Sequence, residues 1–132
     1  MDTWATDGSS FYVGGKPLAG YAAIRMKPQQ VLQGTVKPAS AQLAEIIAIA
    51  AAIEQAHKEV MTVITTDSEW VLRALIDWMP IWIQREMKTG DDKPVTHGQH
   101  LKYIWDLAIK RPDKIKLCKI KAHSKQKSVH IN

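Results

Sequence analysis

Three carboxylic acids stand in segments otherwise suited to burial. Asp7 falls in Thr6-Asp7-Gly8-Ser9-Ser10, inside a run rich in β-branched and aromatic residues. An acid in the middle of such a strand is costly unless it is used, and Gly8 beside it lets another backbone, such as a phosphodiester, come close. Glu45 lies in a stretch that opens at Ser40, a good N-cap, and carries Leu43, Ile46, Ile47, Ala50 and Ile53 at helical spacing. Its i+3 and i+4 neighbours are Ala48 and Ile49, among which an ionised carboxylate needs a partner. Asp67 ends a short apolar run and precedes Ser68, where another helix begins. Glu45 and Asp67 each have a plainer use, Glu45 facing the helix dipole and Asp67 serving as an N-cap. Together the three suggest another chemistry. Carboxylates gathered at one point repel, and the usual remedy is a hard divalent cation with oxygen ligands, most often Mg²⁺. Two such ions about 4 Å apart can activate a water and stabilise the leaving oxygen of a phosphodiester. Spacing alone is weak support, because three acids in 132 residues are easily found.

The elements that must position these acids are legible in outline. Residues 3–37 read as an antiparallel meander, with turn signals at Gly14-Gly15-Lys16-Pro17 and Pro28-Gln29-Gln30. The Ser40 helix is apolar nearly all round and calls for packing on several sides. It ends near Ala56-His57-Lys58, whose two basic residues suit a helix C-terminus. Residues 60–66 form a short apolar strand of the kind buried in a parallel sheet, and residues 68–76 a helix. A strand–helix–strand unit puts the carboxyl end of its strand, here Asp67, where α/β proteins bind ligands. From Asp77 to Val95 the chain reads as irregular: Pro80 starts or breaks a short helix, and residues 90–94 are a loop. Trp78 and Trp82, four apart, share one helical face and anchor it in the core. Thr96 or His97 opens an amphipathic helix with Leu101, Ile104, Trp105 and Ala108 inward, and Pro112 closes it. Residues 114–122 form a lysine-rich strand suited to a sheet edge. Residues 123–127 are a polar loop. The order is βββ–α–β–α–(α)–α–β, without repeats, low-complexity tracts or linkers.

Composition bounds the class. With 45% apolar and 23% charged residues, the 132-residue chain is that of a single soluble domain with a real core. No apolar run approaches a membrane span and no signal-peptide pattern opens the chain, which points to the cytoplasm, the nucleus or a virion. A strand-like Asp2-Thr3-Trp4 directly after Met1 resembles a domain cut from a longer chain. The single cysteine, Cys118, excludes an internal disulfide and reads as a small core residue. The net charge of +5 is concentrated in residues 110–127, where eight Lys and Arg face one acid, Asp113. Such a block is a solvated face or the footprint of a polyanion such as nucleic acid. A zinc site from His97, His100 and Cys118 or His123 is a weaker alternative.

Four motifs raise the specificity of this reading. Thr-Asp7-Gly-Ser, Ser40-Ala-Gln42-Leu-Ala-Glu45, Thr-Thr-Asp67-Ser68 and Lys-Ala-His123 resemble, in order and context, those of type 1 ribonuclease H. The Ala-Gln-x-Ala-Glu form is most similar to the retroviral and retroelement branch, and Lys88-Thr-Gly-Asp-Asp-Lys-Pro-Val resembles the segment after that family's basic handle helix. The resemblance covers essentially the whole chain, residues 1–132 as one domain. It implies an α/β fold with a mixed five-stranded sheet, three strands antiparallel and two parallel, flanked by helices. It also implies an endonuclease that cuts the RNA strand of an RNA/DNA hybrid with Mg²⁺ or Mn²⁺, within or beside a reverse transcriptase or polyprotein. On that pattern Asp7 is the shared ligand of two metals, Glu45 and Asp67 complete the leaving-group side, and His123 assists proton transfer or product departure. Gly8, Ser9 and Gln42 match positions that touch the hybrid, Gln42 in the minor groove where 2′-OH groups mark the RNA strand. Ser68, Glu69 and Trp70 match the grip on the DNA strand, and Ser40, Arg85 and Lys88 add further nucleic-acid contacts.

The chain departs from the family pattern in two places. The family's fourth acid lies on a last helix ten or more residues beyond the histidine. Only nine residues follow His123 here, and none is acidic. The expectation is a domain lacking that last helix, with the water-activating ion weakly held: either the natural chain continues past residue 132, or activity has been lost and the alternative is a module that binds nucleic acid or protein. The second departure is in the handle, where Pro80, Ile81, Ile83 and Gln84 replace lysines and arginines, which lowers the expected affinity for hybrid.

Overall fold

The long alternating segment at the N-terminus folds back on itself twice. In the computed structural model, which describes residues 1–120 and the backbone of residues 127–130, β1 (Asp2–Val13) pairs antiparallel with β2 (Lys16–Arg25), and β2 with β3 (Gln30–Thr35). Gly14 and Gly15 turn the first hairpin with φ of 57° and 79°, a conformation glycine adopts without a Cβ penalty. Helix α1 (Ala41–Gln55) then crosses the sheet, started by Ser40, whose Oγ accepts the Leu43 N–H at 3.2 Å. Strand β4 (Thr62–Thr66) lies parallel to β1, and β5 (Ile115–Lys119) parallel to β4. These five strands, in the order β3-β2-β1-β4-β5, form the expected mixed sheet.

A short sixth strand, β6 (Lys127–His130), pairs antiparallel with β5 and takes the outer position. This corrects the placing of the lysine-rich strand at an edge. Its lysines alternate with Ile115 and Leu117, which are buried along with Cys118, so the strand's apolar face is core while Lys116 and Lys119 remain partly exposed. Lys127, assigned to the polar loop, opens β6, whereas residues 123–126 lie outside the described residues.

The segment after Asp67 is more regular than its sequence predicts. Helix α2 (Glu69–Arg73) runs through a π-helical turn (Ala74–Trp78) into α3 (Met79–Gln84). Pro80 has no N–H to donate, and it sits in the first turn of α3, where none is needed. The π turn takes up the change, with the Met79 N–H reaching the Ala74 carbonyl. Trp78 and Trp82 lie with ring centroids 5.6 Å apart and pack against the core. Helix α4 (Gly98–Ile109) buries Leu101, Ile104 and Ala108, with Trp105 partly covered.

The core explains why α1 carries apolar residues on every side. It packs on β1, β2 and β4 and is also touched by α2 and α4. Trp4, Ile64 and Leu117 from neighbouring strands meet Ile46, Ile49, Leu101 and Ile104, all fully buried, each such side chain contributing about 1.5–3 kcal/mol. One charged pair is buried with them. Arg25 Nη2 lies 2.7 Å from Asp2 Oδ2, and that oxygen also accepts the His57 N–H. Arg25, against the opposing effect of burial, holds the Asp2 carboxyl down to about 2.

Candidate functional site

Strand register brings the first two acids together. β1 and β4 are parallel neighbours with Ala5 opposite Thr65, so Asp7 and Asp67, each two residues further on, lie side by side just past the point where this pairing ends, while β1 runs on beside β2. Glu45 comes to that point from the second turn of α1. One carboxylate oxygen from each of Asp7, Glu45 and Asp67 lies within 4.8 Å of the others. Asp7 and Asp67 are exposed, while Glu45 is 8% exposed and so must be held by the protein itself. The Gly8 N–H donates to its Oε1 at 3.1 Å, and the Thr66 hydroxyl to its Oε2 at 3.3 Å. Thr66 Oγ1 also accepts the Ser68 N–H.

Gly8 is what allows α1 to come this close. A Cβ there would stand 2.4 Å from the Glu45 nitrogen and 2.7 Å from the Ala44 carbonyl carbon. Burial first, then the charge of Asp67 and less that of Asp7, push Glu45 up to about 7, against the hydrogen bonds from Gly8 and Thr66. Three hard oxygen ligands whose mutual repulsion raises a proton affinity are a donor set that a divalent cation fits. A hollow of about 440 Å³ opens beside them, lined by Thr6, Asp7, Thr65, Thr66, Asp67 and Ile120.

Several of the predicted contact residues surround this point. Ser9 is exposed and shares a second hollow with Asp7, Tyr21 and Gln33. Gln42 is exposed on the first turn of α1, and Ser40, half-buried, caps that helix. Ser68 caps α2 through its Oγ, which accepts the Val71 N–H at 3.3 Å. Glu69 is already engaged by Lys119 and by Arg73, the latter at 3.3 Å, so its carboxylate faces two cations. Trp70 is half-buried and meets the ring of His97 edge-on, with centroids 6.5 Å apart.

His97 was expected only as a helix opener or zinc ligand, yet its Nε2 lies 3.5 Å from Ser40 Oγ. It therefore touches Ser40 and Trp70, two candidate contact residues 30 positions apart in the chain. Burial, then the charge of His100, lowers its proton affinity. No spacing in the sequence marks it, because the contact arises from packing among three helix starts.

Other expected residues are placed elsewhere. Arg85 and Lys88 follow α3 and line a separate hollow with Glu86, Gly90 and Asp92, Lys88 lying 3.7 Å from the Asp92 carboxylate. His123 lies outside the described residues. Among the described residues the acid triad is the only group of three or more potential metal ligands, so His97, His100 and Cys118 are not assembled into a zinc site. No helix among the described residues is long and apolar enough to cross a membrane.

A mixed sheet with three carboxylates converging at the end of its parallel strands defines a ribonuclease H-like fold. The family model described as RNase H matches residues 2–130, and the chain belongs to that family. It is 31% identical over 93 residues to the Gag-Pol polyprotein of Walleye dermal sarcoma virus, covering 70% of this chain and 5% of the polyprotein. It is 32% identical over 108 residues to the ribonuclease H of Pectobacterium atrosepticum, covering 80% of this chain and 68% of that protein. In fold it is similar to the foamy viral protease-reverse transcriptase solved in complex with an RNA/DNA hybrid. The TM-score is 0.78 and the identity 22%, over 93% of this chain and 17% of that one.

Proposed function

We propose that this domain is a metal-dependent endoribonuclease that cleaves the RNA strand of RNA/DNA hybrids, as part of a retroviral or retroelement reverse transcriptase or polyprotein. The observation that carries this reading is the convergence of Asp7, Glu45 and Asp67 within 4.8 Å at the open end of the parallel strands. Membership of the RNase H family and the likeness to a reverse transcriptase solved with a hybrid support the substrate.

Asp7 from β1, Glu45 from α1 and Asp67 just past β4 would together hold Mg²⁺ or Mn²⁺. When bound, the metal supplies charge neutralisation at the scissile phosphate and a water of lowered pKa. The protein does the positioning. The Gly8 N–H and Thr66 hydroxyl fix the two Glu45 oxygens, and the exposed Asp7 and Asp67 present theirs to solvent and substrate. Gly8, Ser9 and Gln42 line the approach of the RNA strand, where the 2′-OH distinguishes RNA from DNA. Ser68, Trp70 and Ser40 receive the DNA strand, with His97 bracing Trp70 and Ser40 as a positioning residue. Glu69 acts there through Lys119 and Arg73 rather than by touching a phosphate. Arg85 and Lys88 contribute charge from farther out, and His123 is assigned the proton transfer that accompanies product departure.

The test is cleavage of a labelled hybrid in Mg²⁺ or Mn²⁺. Asp7→Asn, Glu45→Gln and Asp67→Asn should each abolish cleavage, and an Asp7→Asn protein that cuts normally would end this assignment. A second reading is binding without cleavage. Comparing residues 1–132 with a chain extended at the C-terminus separates the two. Cleavage by either supports the nuclease; hybrid binding without cleavage in both supports the binding module.

A further inference from the structure

The basic block at residues 110–127 reads as one surface in the sequence, but the fold divides it. Lys119 stands at the end of β5, level with Thr66 and the acid triad, whereas Lys114 precedes Ile115, which is level with Thr62 at the other end of β4. About 13 Å of strand separates the two levels. At that far pole a hollow of about 630 Å³ opens between the C-terminal ends of α1 and α4.

Its walls combine two chemistries. Ile53, Leu107 and Pro112 supply apolar surface, and Lys58, Lys110 and Lys114 rise around them, all three exposed. Among the described residues none of these lysines enters an ion pair. Arg111 adds a fourth cation. Its Nη2 donates to the carbonyls of His57 and Val60 and to the Thr62 hydroxyl, while its buried Nε and Nη1 have no partner among the described residues. The one acid among the described lining residues, Glu54, accepts a hydrogen bond from the Tyr103 hydroxyl at 2.9 Å. The partial negative charge of two helix C-termini, about half a unit each, offsets only part of this excess.

We propose that this groove docks a polypeptide segment in which apolar side chains alternate with Asp or Glu. A nucleic-acid backbone would engage the lysines and leave the apolar floor unused, and among the described residues the lining holds no aromatic ring on which a base could stack. An acidic, apolar-bearing peptide satisfies both, and the volume is within the range of sites that bury a ligand of several side chains. The surface is distinct from the acid triad, so the inference stands independently of the nuclease reading.

The experiment is NMR titration of the ¹⁵N-labelled 132-residue chain, without divalent metal, with three probes: a short peptide of alternating Leu and Asp/Glu, the same peptide with Gly for Leu, and a short RNA/DNA hybrid. The first should give saturable shifts in amides 53–58, 107–111, 113 and 114. The Gly peptide should bind about tenfold more weakly or worse. Lys110→Glu/Lys114→Glu should lose about tenfold in affinity for the Leu peptide, with Lys58→Glu as an independent variant in the same direction. Shifts outside the groove should match wild type, which verifies folding. Equal binding of the Leu and Gly peptides, no response to the Leu peptide, or a hybrid response centred on these same amides would each overturn the proposal.

Discussion

Glu45→Gln keeps the shape of a side chain while deleting its charge, and without divalent metal the exchange should make the protein more stable at pH 8 and change little at pH 5. A carboxyl ordinarily at 4.5 and raised to about 7 in the fold holds its proton through an interval in which the unfolded chain has released it. The folded state binds more protons across that window, so this group's contribution to stability falls as pH rises through it and levels off above 7. At about 1.4 kcal/mol per pH unit, the penalty at pH 8 amounts to about 3 kcal/mol, an upper value for the gain from Gln. The amide oxygen can still accept from Gly8 and the amide nitrogen can donate to Thr66 Oγ1, so both tethers survive. Urea unfolding followed by tryptophan fluorescence, with EDTA present, measures the difference at the two pH values. Comparing the variant with wild type cancels the titration of other groups. Mg²⁺ at pH 8 should then stabilise wild type and leave the Gln variant nearly unchanged, and wild-type Mg²⁺ affinity should fall below pH 7 as the proton competes for the same oxygens. A Gln variant destabilised equally at both pH values would refute the argument, because it would mean that Glu45 is held by packing and hydrogen bonds with no electrostatic conflict.

Gly8→Ala should cost about 3 kcal/mol or more, read from the shift in urea midpoint, because its Cβ would meet backbone rather than a movable side chain. Asp2→Asn strands Arg25 in a buried site and should cost about 3–5 kcal/mol by the same assay, whereas Asp2→Leu/Arg25→Met together should lose far less. His97→Ala should weaken hybrid affinity about two- to tenfold through loss of the Trp70 and Ser40 contacts, with the cleavage rate at saturating hybrid retained. A change in that rate with unaltered affinity would count against a positioning role.

Most of the scaffold was legible because its signals are local. Ser40 announces the start of α1, the Gly14-Gly15 pair announces the first hairpin, and the all-round apolar surface of α1 announces a helix packed on several sides. What was missed depends on contacts between distant segments. The π-helical turn that carries α2 into α3 resolves a conflict at Pro80 that looks, from the sequence, like an interruption. The lysines of β5 suggested an edge, and what makes the strand interior is its pairing with β6, which its own alternation with Ile115 and Leu117 does not signal. The contact of His97 with Trp70 and Ser40 has no sequence periodicity at all.

The same distinction governs the candidate site. Asp7 and Asp67 converge through an additive rule, parallel strands in register with equal offsets from a paired residue, and such a rule follows once β1 and β4 are known to be neighbours. Glu45 obeys no such rule. Its place depends on how closely a helix can approach a strand, and that distance is set by one missing methyl group at Gly8, which also supplies the N–H that orients the carboxylate. A single residue thus sets the position of the most buried acid of the three and one of its two hydrogen bonds. It follows that larger residues at position 8 should separate the three carboxylates even where the fold survives, lowering divalent-ion affinity by more than the loss of any one tether to Glu45.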